Sequence, residues 1–271
     1  MQDELMNQIM DEVMKKVKSS ETQECSTSSA SQAESININT GSGLTEFVGI
    51  AEGKTIGLVI ANLDHQVHEK MGIDKKYRSI GIIGGRTGAG PQIFAADEAV
   101  KATNSDILKI ELPRDTEGGA GHGCLIIFGA EDVSDVRRAV EVTLRELDRT
   151  FGDVYGCPAG HLEFQYTARA SFALEKAFGA PIGKAFGITV GAPAAIGVVL
   201  ADTAVKAATI DVTGYASPGN GGTSFTNEVI LSFSGDSGAV KQSIIAAREV
   251  GIQLLGAFGE KPASVTKPHI L

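Results

Sequence analysis

The chain repeats itself. ADEAVKAT at 96–103 returns as ADTAVKAA at 201–208, so Asp97 and Asp202, Val100 and Val205, and Lys101 and Lys206 each stand 105 positions apart. Farther on, CLIIFG (124–129) and VILSFSG (229–235) are matching apolar strands that end in glycine. Each leads through an acidic turn, AEDVSD or DSG, into an amphipathic helix. In those helices Val136, Val140, Thr143 and Leu147 recur as Val240, Ile244, Ala247 and Gly251, now 104 positions apart, a change that one single-residue insertion or deletion explains. A period this long exceeds the roughly 20–50 residues of stacked repeats and marks a duplicated domain.

One unit reads as an α/β pattern. A strand at 79–84 passes through a glycine-rich turn into a helix beginning near Pro91, a residue suited to the first helical turn. A strand at 107–112, a second glycine-rich loop, the CLIIFG strand and a helix over 133–147 follow. The second unit predicts the same order: a strand at 186–191, a helix near 196–208, a strand near 210–215, VILSFSG and a helix over 238–255. TIGLVIANL (55–63) and HLEFQYTARA (161–170) are further strands, one ahead of each unit. Units with many strands and two helices predict a small sheet covered by helices.

Composition narrows the function classes. Glycine makes up 33 of 271 residues, well above the roughly 7% of ordinary proteins, which suits compact repeated units and loop-built openings. The net charge of −9 argues against nucleic acid or an anionic membrane as partner, because both require a basic footprint. Cys25, Cys124 and Cys157 are too few and too odd in number for a disulfide framework, which points to the cytosol. The first residues lack a basic leader with an apolar core, and no run approaches the roughly 20 apolar residues of a membrane span.

Residues 1–43 differ from the rest. Leu5, Ile9, Val13 and Val17 recur every four residues beside Met6, Met10 and Met14, which predicts a short amphipathic helix over 3–18. The segment 19–43 is rich in Ser, Thr, Gln and Asn and reads as a flexible linker. A methionine-rich apolar face suits grooves on varied partners, so the helix is a candidate tether to enclosed enzymes. The plainer alternative is that it folds back on its own assembly or stays mobile.

Several long stretches, in order, carry a resemblance: RTGAGPQIFAADEAVKATN (86–104), PRDTEGGAGHGCLIIFGAED (113–132), RTFGDVY (149–155), GTSFTNE (222–228) and GDSGAVKQSIIAAREVG (235–251). Over about 44–260 the chain resembles the bacterial microcompartment shell domain family. It is most similar to the circularly permuted tandem-domain members of propanediol- and ethanol-utilisation shells, because HLEFQYTARASFALEK and TIGLVIANLDHQVHEK precede each unit rather than follow it. The resemblance implies an α/β (α+β) fold of two tandem permuted domains, each a small, mostly antiparallel sheet flanked by helices. The divisions are 1–43 for the N-terminal segment, 44–156 and 157–260 for the two domains, and 261–271 for a tail with little specific signal. It further implies a non-enzymatic shell protein without cofactor, trimeric so that six domains mimic a hexamer, lying in a bacterial microcompartment shell in the cytoplasm. Implied partners are further copies, other shell proteins, enclosed enzymes and small polar solutes such as 1,2-propanediol or glycerol.

The individual motifs admit plainer readings. GGRTGAGP (84–91) lies between a strand and a helix but matches neither the dinucleotide nor the phosphate-loop pattern, so a turn closing the domain is the simpler account. A nucleotide-dependent enzyme built on that turn stays as an alternative, and so does a trimeric small-molecule binding module. His122 with Cys124, and Cys157 with His161, lack third and fourth ligands at metal-site spacing, so no metal is expected. The loops 113–123 and 217–228 are either plain hairpins or, as the resemblance implies, the rims of openings between the two domains of a subunit. Their candidate solute contacts are Arg114, Asp115, His122, Ser217, Asn220, Thr223 and Ser224. Lys101 and Lys206 are either solvated helix lysines or, by the resemblance, edge residues that meet neighbouring discs.

Overall fold

A computed structural model describes residues 44–113, 123–224 and 226–271. The N-terminal helix expected on Leu5, Ile9, Val13 and Val17, the linker after it, and Arg114, Asp115 and His122 lie outside the described residues.

The duplication is visible as two sheets with the same topology. The first half runs β1 (Phe47–Ala51), β2 (Thr55–Ile60), α1 (His65–Met71), β3 (Ser79–Gly85), α2 (Gly90–Ala102), β4 (Asp106–Glu111), β5 (Cys124–Ala130) and α3 (Val133–Thr150). After a single 3₁₀ turn at Phe151–Asp153, the second half runs β6 (Val154–Cys157), β7 (Gly160–Thr167), α4 (Phe172–Phe178), β8 (Ala185–Ala192) and α5 (Ala194–Ala207). It closes with β9 (Ile210–Ala216), β10 (Val229–Gly235), α6 (Ser237–Gly256) and the two-residue β11 (Ala263–Ser264). The strand orders are β1-β2-β3-β5-β4 and β11-β6-β7-β8-β10-β9, and every pairing is antiparallel. β6 crosses residue 156 and pairs with β7 and β11, so the second sheet begins at Val154.

The repeated helix pattern explains how each sheet is covered. Val136, Val140, Leu144 and Leu147 of α3 are all buried against the first sheet, as are Val240, Ile244 and Ala247 of α6 against the second. Gly81 and Gly187 sit beneath these helices. A Cβ on Gly81 would fall 2.8 Å from Val140 Cγ2, and one on Gly187 would fall 3.0 Å from Val240 Cγ1. The duplicated glycine is therefore required by the close approach of helix to sheet. It also fixes the correspondence between the halves across β3 and β8.

The two sheets share a core. Phe94 of α2 stacks on Phe186 of β8 with ring centroids 6.1 Å apart, and Phe178 of α4 stacks on Phe186 at 6.0 Å. Ala170, Ala173, Leu174, Ile188 and Val190 of the second half join the cluster that contains Val48, Ile83, Ile93 and Phe128 of the first. Each fully buried aliphatic or aromatic side chain contributes about 1.5–3 kcal/mol, so this junction is a permanent one.

The tail has structure that its sequence does not announce. β11 pairs with β6, Ser264 donates to the carbonyl of Gly152, and Ile270 is buried in the core of the second half. The last residues thus strap the second sheet to the end of α3.

Candidate solute passage between the two sheets

A cavity of about 690 Å³ lies where the two halves meet. Its first-half wall includes Glu52–Lys54, the turn Thr87–Gly90 and Phe151. Its second-half wall includes Tyr155, His161, Glu163, Gly214–Ala216, Gly222, Glu228 and Ser232. Most of this lining is apolar or backbone, and among its polar side chains Glu163, Glu228 and His161 all belong to the second-half wall.

Glu163 is the most unusual of them. It stands on β7, between Leu162 and Phe164, where strand alternation turns it away from the α6 side and toward α2. The carboxyl is buried and its Oε1 has no hydrogen-bond partner in the protein. Room for it exists because residue 90 is glycine: a Cβ there would fall 1.9 Å from Glu163 Oε1. Burial first, and the charge of Glu228 second, push the carboxyl up to about 8, so at neutral pH it carries a proton. It then both donates and accepts hydrogen bonds.

Glu228 ends the loop ahead of β10. Its Oε1 accepts from Thr226 Oγ1 at 2.8 Å, and its Oε2 lies 3.2 Å from His161 Nε2. His161 is held on β7 opposite Gly156. A neutral acid, a second carboxyl and an imidazole therefore face one water-sized to metabolite-sized space. Cys124 does not line this space; it is buried elsewhere, with a thiol pushed up to about 12 by that burial. No group of three His, Cys, Asp or Glu side chains among the described residues is able to hold a metal ion.

The loop 217–228 spends most of its predicted contacts on itself. Asn220 Oδ1 accepts from the amides of Ser217 and Gly222, both at 2.9 Å, and its Nδ2 donates to the carbonyl of Tyr215 at 3.0 Å. Thr223 is buried and donates to the carbonyl of Thr226 at 3.2 Å. Ser217 and Ser224 are half-buried, and Ser224 adopts a left-handed φ of 52° that tightens the loop. Of this loop, Gly222 and Glu228 reach the cavity wall. Sequence reasoning passed over Glu163 and Glu228 because each looks like a polar residue beside an apolar strand.

The turn 84–91 is internally committed too. The amides of Arg86 and Thr87 donate to the carbonyl of Gly53, and Gln92 Nε2 donates to Thr87 O at 2.9 Å. Amides used in this way are not available to cradle a phosphate.

The paired lysines have unequal surroundings. Lys101 Nζ lies 2.9 Å from Asp97 and 2.8 Å from Glu98, and Asp97 is buried, accepting the amides of Ser171 and Leu174 from the second half. Lys206 pairs with Asp202 at 2.7 Å, and both are well exposed.

The BMC domain profile matches residues 79–156 and 185–261, the two repeated units. The chain belongs to the bacterial microcompartment shell protein family. Bacterial microcompartment shell protein PduB of Citrobacter freundii is 59% identical over 267 residues, 98% of each chain. The crystal structure of EtuB from Clostridium kluyveri superposes with a TM-score of 0.81 at 57% identity, covering 83% of this chain and 99% of that one. A crystal structure described as a trimeric bacterial microcompartment shell protein PduB superposes with a TM-score of 0.80 at 52% identity, covering 83% and 100%. The resemblance drawn from the sequence therefore holds, and so does the fold of two shell domains. In both shell domains a strand and helix (β2–α1, β7–α4) come before the matched segment, as the permuted order requires. Among the described residues, no helix is long and apolar enough to cross a membrane.

Proposed function

We propose that this chain is a non-enzymatic shell tile of a bacterial microcompartment in the cytoplasm, working as a trimer whose six domains imitate a hexamer. Small polar solutes such as 1,2-propanediol or glycerol pass through the gap between its two halves. The observation that carries the passage is the acidic cluster of Glu163, Glu228 and His161 in a cavity between the sheets. A protonated Glu163 exchanges hydrogen bonds with a hydroxyl at little net cost and adds no charge that would trap the solute. Passage requires contacts good enough to admit a solute and weak enough to release it. The trimer is supported by the crystallised relative that is described as trimeric.

Ser217 and Ser224, with Arg114, Asp115 and His122, are the candidate outer rim, while Asn220 and Thr223 hold the loop in shape. Lys101 and Lys206 are the candidate edge residues. Crystals soaked in glycerol or 1,2-propanediol test the passage directly: the solute is expected within hydrogen-bonding reach of Glu163 and Glu228. Density for the solute at the outer rim alone, with the acidic cluster dry, would reduce the protein to a structural tile. Saturable solute binding by a trimer that never forms sheets would favour the binding-module reading instead.

A further inference from the structure

A second cavity, of about 450 Å³, opens beside the last residues of β7 and shares no lining residue with the first. Four permanent cations from four parts of the chain line it: Lys101 of α2, Arg149 of α3, Arg169 after β7 and Lys241 of α6. Two carboxylates, Glu98 and Glu146, stand with them, which leaves an excess of positive charge in a chain with a net charge of −9. Both carboxylates are spent within their own helices. Glu98 lies 2.8 Å from Lys101 Nζ, which is also 2.9 Å from the buried Asp97, and Glu146 lies 2.8 Å from Arg149 Nε. Arg149 Nη1 donates to His269 Nε2 at 3.2 Å, which fixes the guanidinium against the tail. Among the described residues, Arg169 and Lys241 make no ion pair. The hydroxyls of Tyr166 and Ser237 lie 2.5 Å apart and dock the end of β7 on the start of α6, one helical turn before Lys241. The duplicated fold does not demand this set: the positions equivalent to Arg149 and Tyr166 in the opposite halves hold Gln253 and Val59.

We propose that this cavity binds a small anion through a multiply charged phosphate group. Arg169 offers the planar fork of donors that matches two phosphate oxygens, and Lys241 adds a compact point charge. Two unpaired cations in one cavity call for more than one negative charge, which a phosphate group supplies and a single carboxylate does not. The volume falls within the roughly 300–1,000 Å³ of small-molecule sites, enough for the phosphate and a short organic portion. Arg169 is exposed and Lys241 half-buried, so water and salt reach the contacts and binding weakens as ionic strength rises. The site is separate from the acidic cavity, where Glu163, Glu228 and His161 face an uncharged solute.

Calorimetric titration of the full chain at low salt tests the site, with pyrophosphate and acetate as the two probes. Pyrophosphate is expected to bind saturably, about tenfold or more tighter than acetate, and to lose affinity as sodium chloride is added. Arg169→Gln together with Lys241→Gln is expected to weaken pyrophosphate by about tenfold or more. Neither side chain has an ion pair to lose, so circular dichroism and the melting temperature should stay as in the wild type. Lys241→Arg keeps the charge and is expected to keep the binding. Arg138→Gln, on an exposed part of α3 outside the cavity, is expected to change nothing. The proposal is overturned by a wild type that binds no pyrophosphate, by acetate binding as tightly, or by a folded double variant that binds like the wild type. Pyrophosphate that binds dispersed chains but not assembled sheets would give the two cations to a carboxylate of a neighbouring tile and overturn the small-molecule site as well. All of these outcomes leave the shell-tile reading standing.

Discussion

Asp153 Oδ2 accepts the backbone amide of Ile270 at 3.1 Å, tying the end of the chain to the turn between the two halves. The same oxygen takes the amide of His269 at 3.0 Å, while Oδ1 takes Arg248 Nη1 at 2.7 Å; that Nη1 also donates to the carbonyl of Ile270. Burial on its own would raise this carboxyl, but the hydrogen bonds from His269, Ile270 and Arg248 outweigh burial and hold it below its ordinary 3.8. Asp153→Ala strands a mostly buried guanidinium and two amides, so a loss of about 3 kcal/mol is expected in urea unfolding. Because the folded-state carboxyl is lowered, its contribution is present above 3.8 and disappears as the pH falls below it. Acid titration of the wild type and Asp153→Asn should therefore diverge above that value and converge below it.

Glu163 has the opposite sign. Its carboxyl is raised from 4.5 to about 8, so between those values the native protein keeps a proton that the unfolded chain releases. Stability should fall as pH rises through that window, by at most about 1.4 kcal/mol per pH unit from this group. Glu163→Gln is expected to remove that slope and to melt above the wild type at pH 8–9. Identical slopes in thermal melts of the two proteins would show that the carboxyl ionises freely.

The edge assignment is tested by Lys101→Gln together with Lys206→Gln. Lys206 is well exposed, so its loss costs about 0–1 kcal/mol, and glutamine at 101 avoids adding a carboxylate beside Asp97 and Glu98. Trimers are expected to persist in sedimentation while sheets disappear from electron micrographs. Sheets as extensive as those of the wild type would remove the edge role from both lysines.

Removal of residues 1–43 tests the tether. The linker expected from the sequence over residues 19–43 would span roughly 25–30 Å, enough to reach from a disc face to nearby cargo. The truncated chain is expected to form trimers and sheets but to leave closed shells depleted of enzyme. Normal retention of enzyme in purified compartments would end the tether proposal.

The duplication, the two shell domains and their strand–helix order were legible from residues alone. They depend on local periodicity and on the 105-residue spacing of ADEAVKAT and ADTAVKAA, both of which are written linearly along the chain. The acidic cluster in the cavity was not legible, because Glu163 lies in a strand that looks ordinary. Its significance arises only when Gly90, 73 positions earlier, leaves it room, and when Glu228 arrives from the loop ahead of β10. The inequality of Lys101 and Lys206 was largely hidden for the same reason: the local sequences differ at Glu98 against Thr203, yet both place the lysine on a helix, and only packing against the second half buries Asp97 while Asp202 stays exposed. The tail is a third case, since β11 and Ile270 gain meaning only from Asp153 and Arg248. Period and propensity act between near neighbours and can be read from the chain, whereas burial, and the charge chemistry that burial creates, depends on which distant segments meet.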